Sequence, residues 1–431
     1  YALVMMAFSV QLLAVKQYAS PEIPLTFFFT LTLYFFFKSY KENKSKYLYL
    51  SYVALGLTVL TKGYPYIIII AGIIGLYLLT SGPFSWLRIK QEIRLLKLHI
   101  GLPIALIIGL SWVIYMYIKD GSAFWDIYYF ETIERAMSYQ HGLRPFFYLK
   151  VITWSIFPYT FAFIFAFVIA WRSKESLNRV LFPLCWLGTM LIIFTISKGK
   201  VPTYMIQAHP ALIFIIIPVL SDQWGKKTNR IIFATCFYLP TIMIIGANFY
   251  MVGLLHLKTW TYGLAVFSLI LFIAQLFFIK GWHRKKFIAM PFWSMAFAIL
   301  TFSTLLPQLE KYRPYDTIGT IVQNIPSLSP HSPLHIQGTL IHNIPFYAKR
   351  KVIRDATLKS IDNYKGEKLA LVREENLKEL KNPYKTYWKG LIYDLPSESQ
   401  FAKFILAYIE AEESNFEKFA TYHLIYQTDQ K

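Results

Sequence analysis

The chain has little of what marks several large protein classes. Its 431 residues include only two cysteines, Cys185 and Cys236, and each lies inside an apolar run, so the sequence indicates neither a disulfide framework nor a thiolate metal site. It also has no Walker loop, no dinucleotide fingerprint, no HExxH and no CxxC pair. These absences argue against an ATP-driven pump.

Charged residues are scarce too, at 16%, whereas 55% of the residues are hydrophobic. This composition is typical of an integral membrane protein. A helix that crosses the bilayer needs about 20 apolar residues, and we count ten complete candidate runs and a partial one at the start. The predicted runs are 1–17, 23–40, 47–61, 64–80, 98–117, 148–171, 180–196, 205–220, 231–253, 261–279 and 288–306.

The net charge of +20 would suggest nucleic acid in a soluble protein. Here the basic residues fill every second connection between apolar runs, which is the positive-inside pattern, so we expect no nucleic-acid partner. The basic connections are then cytoplasmic, and segment 118–147 and everything after residue 306 face outward. The cations concerned are Lys38, Lys41, Lys44, Lys46, Arg88, Lys90, Arg94, Lys97, Arg172, Lys174, Arg179, Lys226, Lys227, Arg230, Lys280, Arg284, Lys285 and Lys286.

Two domains are expected. Residues 1–306 form a multi-span helical domain, and residues 307–431 form a small extracytoplasmic α/β domain. The second contains short apolar or alternating runs at 334–341, 349–355 and 367–374, and an amphipathic helix pattern at 398–413.

The predicted outer loop at 118–147 holds four carboxylates, two arginines and a histidine, which makes it a candidate reaction site. Glu131 and Arg135 have the i, i+4 spacing that lets two side chains pair on a helix. Arg135 could instead clamp a phosphate, and Glu131 could bind sugar hydroxyls or a divalent ion. His141 could ligate or shuttle protons, although a single loop histidine usually does neither.

Two further candidates lie at the ends of apolar runs. Glu22 could cap the first turn of its helix or act as a carboxylate of an active site inside the bundle. Lys62 lies in a very short connection, TKGYP. It could simply extend to the membrane surface, or, as an outward lysine, it could bind an anionic ligand.

The short connection SKGKVPTY presents Lys198, Lys200 and Tyr204. Two ammonium groups and a phenol are suitable donors for a phosphate. The alternative is that these lysines are ordinary surface residues. His209, which follows in the next run, is more typical of a hydrogen-bonded interior histidine than of a ligand.

Several blocks resemble, in order, those of a known family. They are YASPEIPLTFFFTLTLYFFF, ALGLTVLTKGYP, FETIERAMSYQHGLRPFFY, SIFPYTF and SKGKVPTYMIQAHPAL, over roughly residues 1–220. They are similar to the membrane glycosyltransferases related to protein O-mannosyltransferases and to the aminoarabinose transferase that modifies lipid A. The resemblance implies a GT-C fold in the cytoplasmic membrane and transfer of a sugar from a polyprenyl phosphate to lipid A, protein or a glycan.

The resemblance also implies roles for individual residues. Lys62, Arg135, Lys198, Lys200 and Tyr204 would hold the lipid phosphate or line its entrance. Glu22 takes the place of a second acidic residue that is commonly Asp. The principal base, an aspartate, is expected upstream of Tyr1, between two spans that this sequence does not include. Thr132 stands where a histidine often follows the loop glutamate, so a divalent metal ion remains open.

Two other functions remain open. A flippase or secondary transporter for the lipid-linked sugar would show inverted repeats and charges at mid-membrane, and neither is apparent. A polysaccharide polymerase or ligase would share the donor chemistry and is harder to separate.

Overall fold

The computed structural model describes most of the chain. The described residues are 1–15, 20–130, 144–197, 199–254, 259–278, 284–303, 307, 312–325, 329, 331–337, 344–354, 356–393 and 419–427. They divide into two compact units, the first comprising residues 1–248 and 266–298 and the second residues 249–265 and 299–431. The division at residues 306 and 307 stays a prediction.

Helices make up the first unit, some of them crossing the division between the units. In chain order they are α1 (Ala2–Ala7), α2 (Val10–Val15), α3 (Glu22–Glu42), α4 (Ser45–Lys62), α5 (Pro65–Thr80), α6 (Trp86–Leu95), α7 (Leu98–Tyr129), α8 (Phe147–Ser155), α9 (Thr160–Arg172), α10 (Lys174–Ile196), α11 (His209–Gln223), α12 (Lys227–Leu254), α13 (Thr259–Phe278) and α14 (Arg284–Ser303). A 3-10 helix, Pro202–Ala208, precedes α11.

Each of the eleven predicted runs overlaps one or more of these helices. Within the described residues, five are long and apolar enough to cross a membrane: Glu22–Glu42, Leu98–Tyr129, Lys174–Ile196, Pro202–Gln223 and Lys227–Gly253. The run predicted at 148–171 is instead two helices, α8 and α9, bent by 118°. Three shorter helices of the described residues are also apolar, namely Pro65–Thr80, Thr261–Ala274 and Pro291–Leu300. A bundle of many apolar helices is therefore confirmed.

One predicted boundary was wrong. The apolar run expected to end at residue 117 continues as helix to Tyr129, apart from a break at Gly121. Gly121 has φ +61 and ψ −136, a conformation that residues with a side chain rarely adopt. Residues 122–129 are thus helix rather than loop. The ring centroids of Trp112 and Phe124, on either side of the break, are only 5.4 Å apart, whereas twelve residues of one straight helix would separate them by about 18 Å, so the chain turns sharply at Gly121.

Small residues set the packing of α4 on α7. A Cβ added to Gly56 would lie 2.9 Å from the carbonyl oxygen of Ala105, and one added to Gly109 would lie 2.7 Å from Val59 Cβ. Tyr52 packs against Gly101 on the same face. Glycines at such crossings let two membrane helices approach closely.

The second unit contains a five-stranded sheet. Its strands are β1 (Leu334–Ile336), β2 (Val352–Ile353), β3 (Lys368–Arg373), β4 (Lys385–Tyr393) and β5 (Phe419–Gln427), in the order β2-β1-β3-β5-β4. β1 is parallel to β2 and β3, whereas β5 is antiparallel to β3 and β4. Helices α15 (Tyr315–Gln323), α16 (Ile344–Ala348) and α17 (Leu358–Asn363) and a 3-10 helix, Glu374–Glu379, accompany the sheet.

The predicted α/β character of this part is confirmed. The three apolar runs named from the sequence contain β1, β2 and β3, and Leu334, Ile336, Leu369 and Leu371 of β1 and β3 are fully buried. The amphipathic helix expected at 398–413 lies outside the described residues.

Candidate functional site

Glu22 is the first residue of α3 and its side chain is buried within the first unit. The hydroxyl of Ser20 donates to Oε2 of the carboxylate, and the backbone N–H of Glu22 donates back to the Ser20 oxygen at 3.4 Å. One turn later, Thr26 Oγ1 donates to the Glu22 carbonyl at 2.7 Å. The carboxylate therefore lies at the positive end of the helix, where a negative charge is stabilised, and it accepts a hydrogen bond from the Ser20 hydroxyl.

Lys62 is the last residue of α4, and its ammonium forms an ion pair with Glu22 Oε1. Gly63, with φ +107, ends the helix here, and Pro65 begins α5 two residues later. A glycine with positive φ, followed closely by proline, is a common way for a helix to end. It keeps the Lys62 side chain, which is 25% exposed, beside a carboxylate that is 9% exposed.

The 3-10 helix supplies the third part of this cluster. Thr203 Oγ1 lies 3.5 Å from Glu22 Oε1, and the Lys62 ammonium lies 5.4 Å from the centre of the Tyr204 ring. The Tyr204 ring in turn stacks on Phe194, with 4.9 Å between centroids. Three segments that are far apart in sequence thus meet around one ion pair, which we call the Glu22–Lys62 cluster, comprising Ser20, Glu22, Lys62, Thr203 and Tyr204.

Lys200 lies beside the end of α10 and is buried. Its ammonium donates to the carbonyl oxygens of Phe194 at 2.8 Å, Thr195 at 2.6 Å and Ser197 at 2.5 Å. A lysine ammonium has three protons, so all of them can be used by these carbonyls. Lys200 therefore caps α10, and burial lowers its pKa.

His209 is fully buried at the start of α11. Its Nδ1 lies 3.1 Å from the carbonyl oxygen of Met205 and its Nε2 lies 3.3 Å from that of Ser155. This agrees with the interpretation of His209 as an interior, hydrogen-bonded histidine.

Four of the predicted site residues, Glu131, Arg135, His141 and Lys198, lie outside the described residues. In the part of the chain that is described, no group of three or more His, Cys, Asp or Glu side chains could hold a metal ion. Because Glu131 lies outside the described residues, they do not test whether the protein binds a divalent metal ion, which the resemblance left open.

Sequence reasoning did not find Ser20 and Thr203. Ser20 is close to Glu22 in sequence, but it is not the N-cap of α3, which is Pro21, so no capping pattern indicates its contact with the carboxylate. Thr203 is 181 residues from its partner, and no local pattern relates the two.

Known proteins match this chain in sequence and in fold. The family described as dolichyl-phosphate-mannose-protein mannosyltransferase matches residues 1–129. A protein of Aquifex aeolicus of uncharacterised function is 31% identical over 315 residues, which are 73% of this chain and 58% of that one. The undecaprenyl phosphate-alpha-4-amino-4-deoxy-L-arabinose arabinosyl transferase 1 of Pseudomonas fluorescens is 25% identical over 54% of this chain and 42% of its own length.

Among solved structures, ArnT from Cupriavidus metallidurans bound to undecaprenyl phosphate has a TM-score of 0.68 and 18% identity. The match covers 90% of this chain and 76% of that one. The resemblance to the mannosyltransferase and aminoarabinose transferase group is confirmed. The fold is that of this group, a GT-C bundle with a small α/β region at the C-terminal end, as the sequence predicted. The chain spans about half the length of the two curated relatives.

The family match includes both Glu22 and Lys62, whereas Thr203 and Tyr204 lie beyond it. The ion pair therefore lies within the segment that is similar to this family, and the 3-10 helix contributes Thr203 and Tyr204 from a later part of the chain.

Proposed function

We propose that the protein is a glycosyltransferase that moves a sugar from a polyprenyl-phosphate-linked donor to an acceptor at the outer face of the cytoplasmic membrane. The acceptor would offer a hydroxyl or phosphate group on lipid A, a protein or a glycan. In this proposal the protein crosses the membrane several times and its C-terminal α/β region lies outside.

One observation carries this proposal, namely the position of Lys62. Its ammonium lies at the end of α4, between the Glu22 carboxylate and the Tyr204 ring, within a bundle of apolar helices. A partly exposed cation at the end of membrane helices suits a ligand that carries both a phosphate and a lipid chain. The likeness to an aminoarabinose transferase structure bound to undecaprenyl phosphate supports the same ligand class.

The proposed chemistry needs little beyond charge and position. When the sugar leaves polyprenyl phosphate, negative charge develops on the phosphate, and a fixed ammonium stabilises it. Lys62 would supply this charge, Tyr204 would hold the lysine chain through a cation–π contact, and Glu22 would orient the ammonium. A separate carboxylate base would take the proton of the acceptor. A single displacement inverts the anomeric configuration.

The test measures both binding and transfer. We expect Lys62→Gln to weaken binding of undecaprenyl phosphate about tenfold or more, since a hydrogen bond to a charged group contributes about 1.5 to 3 kcal/mol. Lys174→Gln removes an exposed cation at the start of α10 and serves as the control. Sugar transfer from a polyprenyl-phosphate donor should fall with Lys62→Gln and persist with the control.

The result also separates the alternatives. Binding of the lipid donor without any transfer to an acceptor would favour a flippase. Unchanged donor binding in the Lys62→Gln variant, with the protein folded, would remove the Glu22–Lys62 cluster from the donor site and contradict the proposal.

A further inference from the structure

Helix α6 presents an unusual distribution of side chains. None of its ten residues is buried, and even its large apolar side chains are exposed: Trp86 is 76% exposed, Leu87 70% and Leu95 65%. Phe84, just before the helix, is 67% exposed and its ring contacts that of Trp86. Exposed large apolar side chains such as Phe84, Trp86 and Leu87, which are close together in the chain, often mark contact with a membrane or a partner.

Two charged side chains of α6, those of Arg88 and Glu92, face the protein. Arg88 donates to the carbonyl oxygens of Leu78 and, at 3.3 Å, of Leu79, both at the end of α5. It also lies 3.7 Å from Glu92, to which Tyr40 donates at 3.4 Å. Arg88 and Glu92 thus attach the helix to the protein, and its outward side carries large apolar residues, Trp86 and Leu87, beside two exposed cations.

The length and neighbours of α6 identify its surroundings. Ten residues of helix span about 15 Å, half of the hydrocarbon thickness, so α6 cannot cross the membrane. It lies between α5 and α7, both apolar, and it therefore remains close to the bilayer. A short helix that exposes tryptophan and leucine beside lysine and arginine is typical of the interface between headgroups and acyl chains.

Basic residues surround the apolar group. Lys90 and Arg94 are exposed on α6. Lys97, just after it, donates to Ser45 Oγ at 2.9 Å, which attaches α6 to the turn between α3 and α4. The turn and the helix ends beside it add further cations at Lys38, Lys41, Lys44 and Lys46.

Few acidic groups offset this charge. Residues 38–97 include eight basic residues near this turn and helix, but only two acidic residues, Glu42 and Glu92. Lys62, at the other end of α4, is not counted among the eight. Ion pairs engage Lys44 with Glu42 and Arg88 with Glu92. Lys38 and Lys46 lie over the Tyr47 ring at 4.4 and 5.1 Å, and a neutral ring does not cancel their charge.

We propose that α6 lies in the membrane interface and, together with the α3–α4 turn, binds the headgroup of an anionic phospholipid. The apolar residues enter the acyl chains, and the surrounding cations contact the phosphate. The charge complementarity favours an anionic lipid over a neutral one. This site is separate from the Glu22–Lys62 cluster, which lies at the opposite ends of α3 and α4.

The experiment places a probe on α6. Leu87→Cys, at an exposed position, is labelled with a fluorophore, and the full chain is reconstituted in vesicles of phosphatidylcholine containing brominated phosphatidylglycerol or brominated phosphatidylcholine. The parent chain, treated with the same reagent, corrects for labelling of its own cysteines. We expect quenching by both lipids and stronger quenching at equal fractions by the anionic one.

The charge is tested with a double variant. Lys90→Gln with Arg94→Gln should lower the preference for phosphatidylglycerol about tenfold, while Lys349→Gln with Lys351→Gln, which removes two exposed cations from the second unit, should leave it unchanged. Added inorganic phosphate should not abolish the preference, because the apolar side holds the lipid.

Three outcomes would overturn the proposal. Absence of quenching by either lipid would place α6 in water or against another protein. Equal quenching by both lipids would exclude headgroup binding. Loss of the preference on addition of inorganic phosphate would show that the site binds a free anion.

Discussion

Glu22 and Lys62, forty residues apart, form an ion pair between the first residue of α3 and the last residue of α4. A donor phosphate that binds Lys62 must therefore share this cation with the Glu22 carboxylate. The two anions would repel each other at short range, in a region where charges are only partly screened.

The first prediction concerns Glu22→Gln. We expect polyprenyl phosphate to bind about threefold to tenfold more tightly, since a competing negative charge is removed, whereas sugar transfer should fall about tenfold because Lys62 is no longer fixed. Donor binding and transfer are measured on the same preparation. Glu175→Gln, at an exposed position of α10, should change neither. Weaker donor binding by the folded Glu22→Gln variant would contradict the competition.

The second prediction separates two roles for Lys200. Lys200→Met keeps the chain length but loses three hydrogen bonds to the end of α10. We expect the free energy of unfolding to fall by about 2 kcal/mol or more and the thermal midpoint in detergent to fall with it. Donor affinity of the folded protein should stay within about twofold. A tenfold loss of donor affinity at an unchanged midpoint would instead make Lys200 a phosphate ligand, as the sequence first indicated.

Much of the fold could be predicted because its signals are local. Apolar runs and alternating basic connections are properties of contiguous sequence, and the helices fall where those runs lie. The break at Gly121 was missed because a glycine within a polar segment equally indicates a loop. The bend between α8 and α9 was missed because hydropathy alone does not report a change of helix direction.

The site was less predictable. Glu22, Lys62 and Tyr204 were each named from the sequence, but the hydrogen bonds of Lys200 to backbone carbonyls have no signature in residue types. A lysine in a short connection looks the same whether its ammonium faces a ligand or the end of its own helix. The partners of Glu22 on the 3-10 helix are likewise set by tertiary packing.

The third prediction tests the crossing of α4 and α7. In Gly56→Ala the new Cβ would lie 2.7 Å from Ile108 Cβ and 2.9 Å from the Ala105 carbonyl oxygen, so the helices must separate. We expect a loss of about 1 to 3 kcal/mol in the free energy of unfolding. Gly75→Ala on α5, where nothing lies within 4 Å of the added atom, is the matched control and should not destabilise the protein. Equal thermal midpoints for the two variants would show that close packing at Gly56 is not needed.

The last prediction concerns the pH dependence of the second unit. His335 of β1 is buried, and among the residues that the structure describes neither ring nitrogen has a hydrogen-bond partner. Lys368 of β3 is also buried and donates to the carbonyl oxygens of Tyr364 at 2.7 Å and Asp362 at 3.3 Å. Burial, and then the Lys368 charge, lower the pKa of His335 to about 4. In the unfolded chain the pKa of histidine is about 6.5, so between these values the unfolded state binds more protons than the folded state. The stability that neutral His335 contributes is therefore fully present above about pH 6.5 and is lost as the pH falls toward 4, by roughly 3 kcal/mol in total.

Hydrogen exchange of the β1 and β3 amides in the full chain measures this loss. It is expressed as protection factors, so that the intrinsic effect of pH on exchange is divided out. His335→Leu should remove most of the dependence, and His99→Leu, at an exposed position of α7, should keep the parent profile. The same pH profile in the His335→Leu variant would show that another group in the second unit is responsible.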